Sequence, residues 1–220
     1  MKDLVIVGVG GHGREILQCV ADINAREMQW NVLGFVDDGS ALTQVSGLPM
    51  LGPAGWLRNR DCSVIVAIGA PAVRRRVVRT LMDMGGVKFA TLVHPSALIG
   101  AQVMIGEGSM ICANAVLTTD IVVGRHVIVN TSAVVSHDCH LADFVSIGPN
   151  ACLCGAVQVG EGAELGAACT LVPGIHLGVW SAVGAGATVI NEVAAHVTVA
   201  GVPARAISSR LAGWQDYNDK

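Results

Sequence analysis

Aromatic residues make up only 4% of this 220-residue chain, and charged residues only 14%. So few rings, beside a hydrophobic content of 52% and 27 glycines, exclude a core organised around aromatic packing and predict one built from small aliphatic side chains. The net charge is −3 and the pI near 6.1. That balance excludes the basic surface that nucleic acid or an anionic membrane would require. Seven cysteines occur without a CxxC pair, so small buried thiols are the simpler reading than a metal or redox centre. The start, "MKDLVIVGVGGHG", lacks the basic head, long apolar run and cleavage site of a signal peptide, which predicts a cytoplasmic protein. Residues 165–191 hold no Asp, Glu, Lys or Arg and have a membrane span's composition. Pro173, His176 and several glycines interrupt them, and they obey a different period, so no membrane segment is predicted.

That period is six. From Ile99 through Ile105, Ile111 and Leu117 to Val183 and Val189, all sixteen positions of the frame are aliphatic. Four places after each lies a small or apolar residue such as Val103, Ser109, Ala115, Ala133, Cys139 or Cys169. A helix would repeat near 3.6 and a simple strand at two. A six-residue repeat predicts a parallel β-helix, three flat sides closing a coil of eighteen residues. The glycines that often follow the aliphatic residue, Gly100, Gly106, Gly124 and Gly148 among them, are expected to form tight corners. The pattern resembles the left-handed β-helix of the hexapeptide acyltransferases, which implies a homotrimer with active sites between subunits. The ending "GVPARAI" resembles the segment that closes that fold, and a short amphipathic helix is expected after it, to about Gln215.

The first ninety residues read differently. "LVIVGVGGHGREILQCV" is a buried strand, a glycine loop and a helix, and further strands are expected in "WNVLGFVDD", "CSVIVAIG" and "FATLVH". With helices over about 12–26 and 71–84, this predicts a small Rossmann-like parallel α/β sheet over 1–94. His94-Pro95-Ser96 forms the hinge into a β-helix domain over 95–220. Gly8, Gly10 and Gly13 satisfy GxGxxG, with Asp37 ending the next strand. NAD is one reading, but the unit lacks the second mononucleotide half, and the loop itself only requires a phosphate. Arg74, Arg75, Arg76 and Arg79 cluster at the start of the second helix, where cations oppose its dipole. A solvated basic face is the simpler explanation, a nearby anion the alternative.

One polar stretch stands out in the repeat, "VVSHDCHLAD" over 134–143. In the six-residue frame His137 and Asp138 fall on the outer wall or a corner, and Gly155 lies eighteen residues on, one strand spacing away. A base, a carboxylate to orient it and a bare amide make an acyl-transfer site. A zinc enzyme of the γ-carbonic-anhydrase type is the rival, suggested by His140 and His176 in one column. It needs a histidine five residues after another, and here those places hold Thr131, Ala142, Val145 and Ser181.

Across nearly the whole chain, "GxGGHG", "GFVDD", "VAIG", "HPSA", "VNTSAVVSHDC", "CGAVQVGE" and "GVPA" occur in the order found in the NeuD/PglD family of bacterial sugar acetyltransferases, which the chain resembles. The resemblance implies acetyl-CoA as co-substrate, without NAD or metal. It implies a UDP- or dTDP-linked 4-amino-4,6-dideoxy sugar as acceptor, with O-acetylation of a sialic acid as the alternative. A non-catalytic sugar-nucleotide-binding scaffold is the second alternative. It makes His137 the base and Asp138 its partner, with Gly155 serving both catalysis and the donor. Gly10, Gly11 and His12 would meet the phosphates, Asp37 and Asp38 the nucleoside, and Gly69 the same pocket. Ala167 and Ala185 would line the pantetheine groove. The family's second, donor-touching histidine in "DFVHI" is here Ser146, in "DFVSI", whose hydroxyl can still donate a hydrogen bond; His140 is a partial substitute on one reading and structural decoration on the simpler one.

Overall fold

The computed structural model describes residues 1–216; the last residues of the expected C-terminal tail, 217–220, lie outside it. Strands β1 (Lys2–Val7), β2 (Trp30–Val36), β3 (Gln44–Val45), β4 (Leu48–Gly52), β5 (Ser63–Val66) and β6 (Lys88–Phe89) form one sheet in the order β3-β4-β2-β1-β5-β6. All its pairings are parallel except β3 with β4. Helix α1 (Gly11–Arg26) buries Ile16, Cys19, Val20 and Ile23, one apolar stripe at helical spacing, while α2 (Pro71–Asp83) buries Val78 and Leu81. Pro71 suits the first turn of α2, where its missing N–H costs nothing.

The expected fourth strand divides between the two architectures. Lys88–Phe89 ends the first sheet, but Leu92–Val93 pairs with Met110–Ile111. The β-helix frame therefore begins at Val93, six residues before Ile99.

From there the chain winds as a three-faced prism of two-residue strands. The first face stacks Leu92–Val93, Met110–Ile111, Ile128–Val129, Ser146–Ile147, Glu164–Leu165 and Ala182–Val183. The second runs from Leu98–Ile99 to Thr188–Val189, and the third from Met104–Ile105 to His176–Leu177. Every pairing in these stacks joins residues eighteen apart, as with Ser146 to Glu164 or His140 to Gln158. The second residue of each strand points inward. Leu117, Val135, Leu153 and Leu171 form one of the interior columns, together with small residues such as Ala133, Ala151 and Cys169.

The glycines expected to form the corners do something else. Gly106, Gly124, Gly148, Gly160 and Gly166 do not have positive φ; a Cβ on any of them would strike the backbone or side chain of the next coil. They are small because the coils stack closely. Left-handed backbone falls two residues later, at Asn114, Asp120, His126, Ser132, Asp138, Phe144 and Asn150, all with φ between 54° and 62°. Asn and Asp tolerate that region well; His126 and Phe144 occupy it as well.

The expected C-terminal helix is reduced, among the described residues, to one short 3-10 turn, Trp214–Asp216. Val197–Ala200 joins the first face and turns back on Arg205–Ser209 as an antiparallel hairpin. The hairpin caps the last coil by pairing with its open edge, which a helix could not do. Trp214 of the following turn then packs edge-on to Trp180, at 6.2 Å between ring centroids.

The two domains meet along the first face. Met110, Cys112 and Ile128 share a core with Leu4, Ile16, Cys19, Phe35 and Leu92. All seven cysteines are free, five buried and Cys152 and Cys154 half-buried. No helix among the described residues is long and apolar enough to cross a membrane.

Candidate active site

The glycine loop follows β1 and opens α1. Gly8 has φ +100°, a conformation a side chain would strain, and a Cβ on Gly13 would collide with the Gly8 carbonyl. These two set the turn and the close helix–strand approach. A Cβ on Gly10 or Gly11 would meet nothing within 4 Å; their backbone faces a cavity of about 410 Å³. That volume suits a small ligand, and the N-terminus of α1 offers unpaired N–H groups to an anion.

Gly10, Gly11, His12, Asp37, Asp38 and Gly69 all line this cavity. Both oxygens of Asp37 accept backbone hydrogen bonds, Oδ2 from Val9 N–H at 3.1 Å and Oδ1 from Gly39 N–H at 2.9 Å. Asp37 therefore holds the glycine loop in place. Asp38 Oδ1 accepts from Ala54 N–H at 2.7 Å.

A second cavity, of about 280 Å³, adjoins the first. The two share His12 and Gly69, and the second is floored by Ser146, Gly148, Glu164 and Ala167 of the prism. His12 stands in the wall between them. Its Nδ1 lies 3.2 Å from Glu15 Oε2, its buried Nε2 has no partner among the described residues, and burial lowers its pKa, with Glu15 opposing.

Behind that wall lies Arg74, and here the expectation of a solvated basic face is wrong. Arg74 is 0% exposed. Its guanidinium donates to the carbonyls of Ile68 and Gly69 at 2.6 and 2.8 Å, of His126 at 2.9 Å and of Phe144 at 2.8 Å. It also donates to Ser146 Oγ at 2.9 Å, and that hydroxyl donates in turn to the Gly69 carbonyl at 2.9 Å. Burial pulls the Arg74 pKa down to about 9, which leaves it charged at neutral pH. Ser146 is thus committed to the seam between the domains. Arg75 is nearly buried as well, its Nε 3.2 Å from Glu161 and its Nη1 2.7 Å from Asp216, with Trp180 beneath it.

His137 and Asp138 occupy the corner between the second and third faces, with Nδ1 and Oδ2 at 2.7 Å. They are well exposed, the His137 side chain at 61%. A Cβ on Gly155 would fall on the His137 imidazole, so glycine is what lets the ring lie against the next coil. The Gly155 N–H has no acceptor among the described residues. Ala167 and Ala185 lie on another corner, between the first and second faces, and Gly166 packs so closely that a Cβ there would strike the Ala185 N. One chain therefore brings Gly69, His12, Ser146 and Ala167 together, but holds His137, Asp138 and Gly155 on a different edge. His140 and His176 are exposed, two strands apart with Gln158 between them. No group of three or more metal-ligating side chains occurs among the described residues.

Residues 3–81 match the PglD N-terminal domain family. The fold superposes on perosamine N-acetyltransferase from Caulobacter crescentus, solved as a histidine-to-asparagine mutant with CoA and GDP-perosamine. The TM-score is 0.87 and identity 32%, over 95% of this chain and 98% of that one. This chain belongs to the NeuD/PglD family of bacterial sugar acetyltransferases. A further member of similar shape is the acetyltransferase domain of PglB from Neisseria gonorrhoeae FA1090, solved with acetyl coenzyme A. It has a TM-score of 0.84 and 31% identity, over 94% of this chain and 99% of that one. The UDP-N-acetylbacillosamine N-acetyltransferase of Bacillus subtilis (strain 168) is 39% identical over 118 residues. That match spans about half of each protein, 51% of this chain and 52% of the relative. Three features of this NeuD/PglD-family site were not expected from sequence: the Arg74 seam, the Glu15 contact to His12, and Glu164 in the floor. Two carried a signal: Glu164, as an acidic residue in a column otherwise apolar or small, and Arg74, as a cation set against the dipole of α2.

Proposed function

We propose that this chain transfers the acetyl group of acetyl-CoA to the amine of a nucleotide-linked amino sugar in bacterial glycan biosynthesis. A UDP- or dTDP-linked 4-amino-4,6-dideoxy sugar is the acceptor. The reading rests above all on one observation, the His137–Asp138 pair laid against Gly155.

The diphosphate binds at Gly10 and Gly11, and the sugar passes His12 and Gly69 into the second cavity. The amine nitrogen attacks the thioester carbonyl carbon. The carbonyl π pair moves onto oxygen, where the Gly155 N–H supports the oxyanion. His137 Nε2 takes the amine proton while Asp138 holds the Nδ1–H and stabilises the imidazolium. When the carbonyl re-forms, the carbon–sulfur bond breaks and CoA leaves with the proton that His137 returns.

His137 and the Ala167–Ala185 corner are on different edges of one prism, so a site that uses both needs a neighbouring subunit. A homotrimer with sites between prisms supplies it.

The test is turnover of acetyl-CoA against UDP-, dTDP- and GDP-linked amino sugars, GDP being included because of the perosamine relative. His137→Ala should lower kcat by roughly 10²–10⁴-fold, with both substrates still binding. His140→Ala should leave it near normal. A dead His140 variant beside an active His137 variant would place the base on the wrong face, and turnover of free sialic acid alone would make this an O-acetyltransferase.

A further inference from the structure

The first face carries an outward column that reads Leu92, Met110, Ile128, Ser146, Glu164, Ala182. Its first three members are buried beneath the N-terminal domain, where apolar side chains are what the sheet and α1 require. Ser146 marks the edge of that cover and is tied to Arg74 and Gly69. Glu164 is the first residue to emerge, and it emerges into the floor of the second cavity.

Nothing in the fold asks for a carboxylate there. Glu164 has no hydrogen bond or ion pair among the described residues, unlike Glu15, Asp143 and Glu161, which have partners. Arg74 acts on Glu164 through space from behind the wall, with its N–H groups already spent on carbonyls and Ser146. Its neighbours in the floor, Ser146, Gly148, Gly166 and Ala167, are small, so the carboxylate stands clear. At the far end of the same trough lies the glycine loop, which suits an anion. The trough is therefore polarised, with donors for a phosphate at one end and a free carboxylate at the other.

A nucleotide amino sugar has that polarity. Its diphosphate is anionic, and its primary amine, in solution near neutral pH, is mainly an ammonium ion. The ammonium releases one proton to solvent before its nitrogen can attack, and acetylation of the resulting amine leaves a neutral amide.

Resting on the acceptor reading above, we propose that Glu164 is a specificity-determining residue that receives the sugar's ammonium group and lets the product go once acetylation has removed the charge. A carboxylate–ammonium hydrogen bond is about twice as strong as a neutral one, and none can form with the amide. Glu164 contributes to recognition and not to chemistry. Holding the ammonium also opposes its deprotonation, so removing the carboxylate raises KM without lowering kcat.

The experiment compares wild type with Glu164→Gln, which keeps the shape of the exposed side chain. A UDP-linked 4-amino-4,6-dideoxy sugar and its N-acetylated product are titrated calorimetrically without CoA, and steady-state rates are measured with the amine. Wild type should bind the amine roughly tenfold more tightly than the amide, with the preference weakening at high salt. Glu164→Gln should bind the two alike, raise KM by a similar factor and keep kcat within about twofold. An unchanged preference in Glu164→Gln overturns the inference, as does an equal loss of affinity for amine and amide, which would make Glu164 merely structural. Failure of the acceptor reading looks different: wild type would then acetylate no nucleotide amino sugar at all.

Discussion

Gly155 shows how much one missing methyl group can decide. Its φ is not in the left-handed region, so alanine would be tolerated by the backbone; what excludes it is the His137 ring lying where the Cβ would go. Gly155→Ala should therefore displace the imidazole without unfolding the coil. We expect kcat to fall by about 10²-fold while the thermal midpoint moves little. A midpoint that collapses together with activity would mean the glycine serves the fold. His137, Asp138 and Gly155 could be read from the sequence because a period of eighteen brings the three to one corner without any knowledge of the rest. Arg74 could not. Most of its acceptors are carbonyls, among them those of His126 and Phe144, 52 and 70 residues away, and backbone acceptors leave no mark on residue type.

At the scale of elements, the coil explains both what was legible and what misled. The inward ladder follows from strand geometry alone, so a run of aliphatic residues at every sixth place was enough to define three faces. The corner glycines were misassigned because sequence does not distinguish a glycine needed for φ from one needed for close approach. The strand Arg205–Ser209 was not expected, and the helix came out as a single 3-10 turn, because the hairpin's pairing partner, the last coil's open edge, is a tertiary feature. Neighbouring coils also stack their corner residues. His126 lies parallel to Phe144 at 5.3 Å and edge-on to Phe89 at 4.6 Å, and is only 3% exposed. Burial, with Arg74 and Arg125 adding to it, lowers its pKa to about 4. The unfolded chain, near 6.5, then takes up this proton before the folded one does. The stabilisation is complete above about pH 6.5 and is lost as pH falls from there toward the folded value. His126→Phe, at a corner whose backbone also accepts Phe144, should remove this sensitivity. Urea unfolding at pH 7 and pH 4.5 should show wild type losing about 2–3 kcal/mol more than the variant. Equal losses in the two proteins would assign the acid sensitivity to other groups.

For the whole molecule, the separation of the His137 edge from the Ala167–Ala185 edge makes assembly a functional matter in the mechanism we propose. Light scattering should give about three times the 22.7 kDa chain mass; a stable monomer with full activity would contradict the shared site. The prism has a further consequence, in how such a chain reaches its native state. Almost every β-pairing in it closes a span of eighteen residues, however many coils have already formed. Loop-closure entropy depends on that span and not on chain length, so each added coil meets the same modest barrier as the one before. The N-terminal domain, whose core includes Leu92, Met110 and Ile128, offers a finished edge on which the first coil can form. Folding would then advance as growth from a seed, one coil after another, and the C-terminal hairpin would mark where that growth stops.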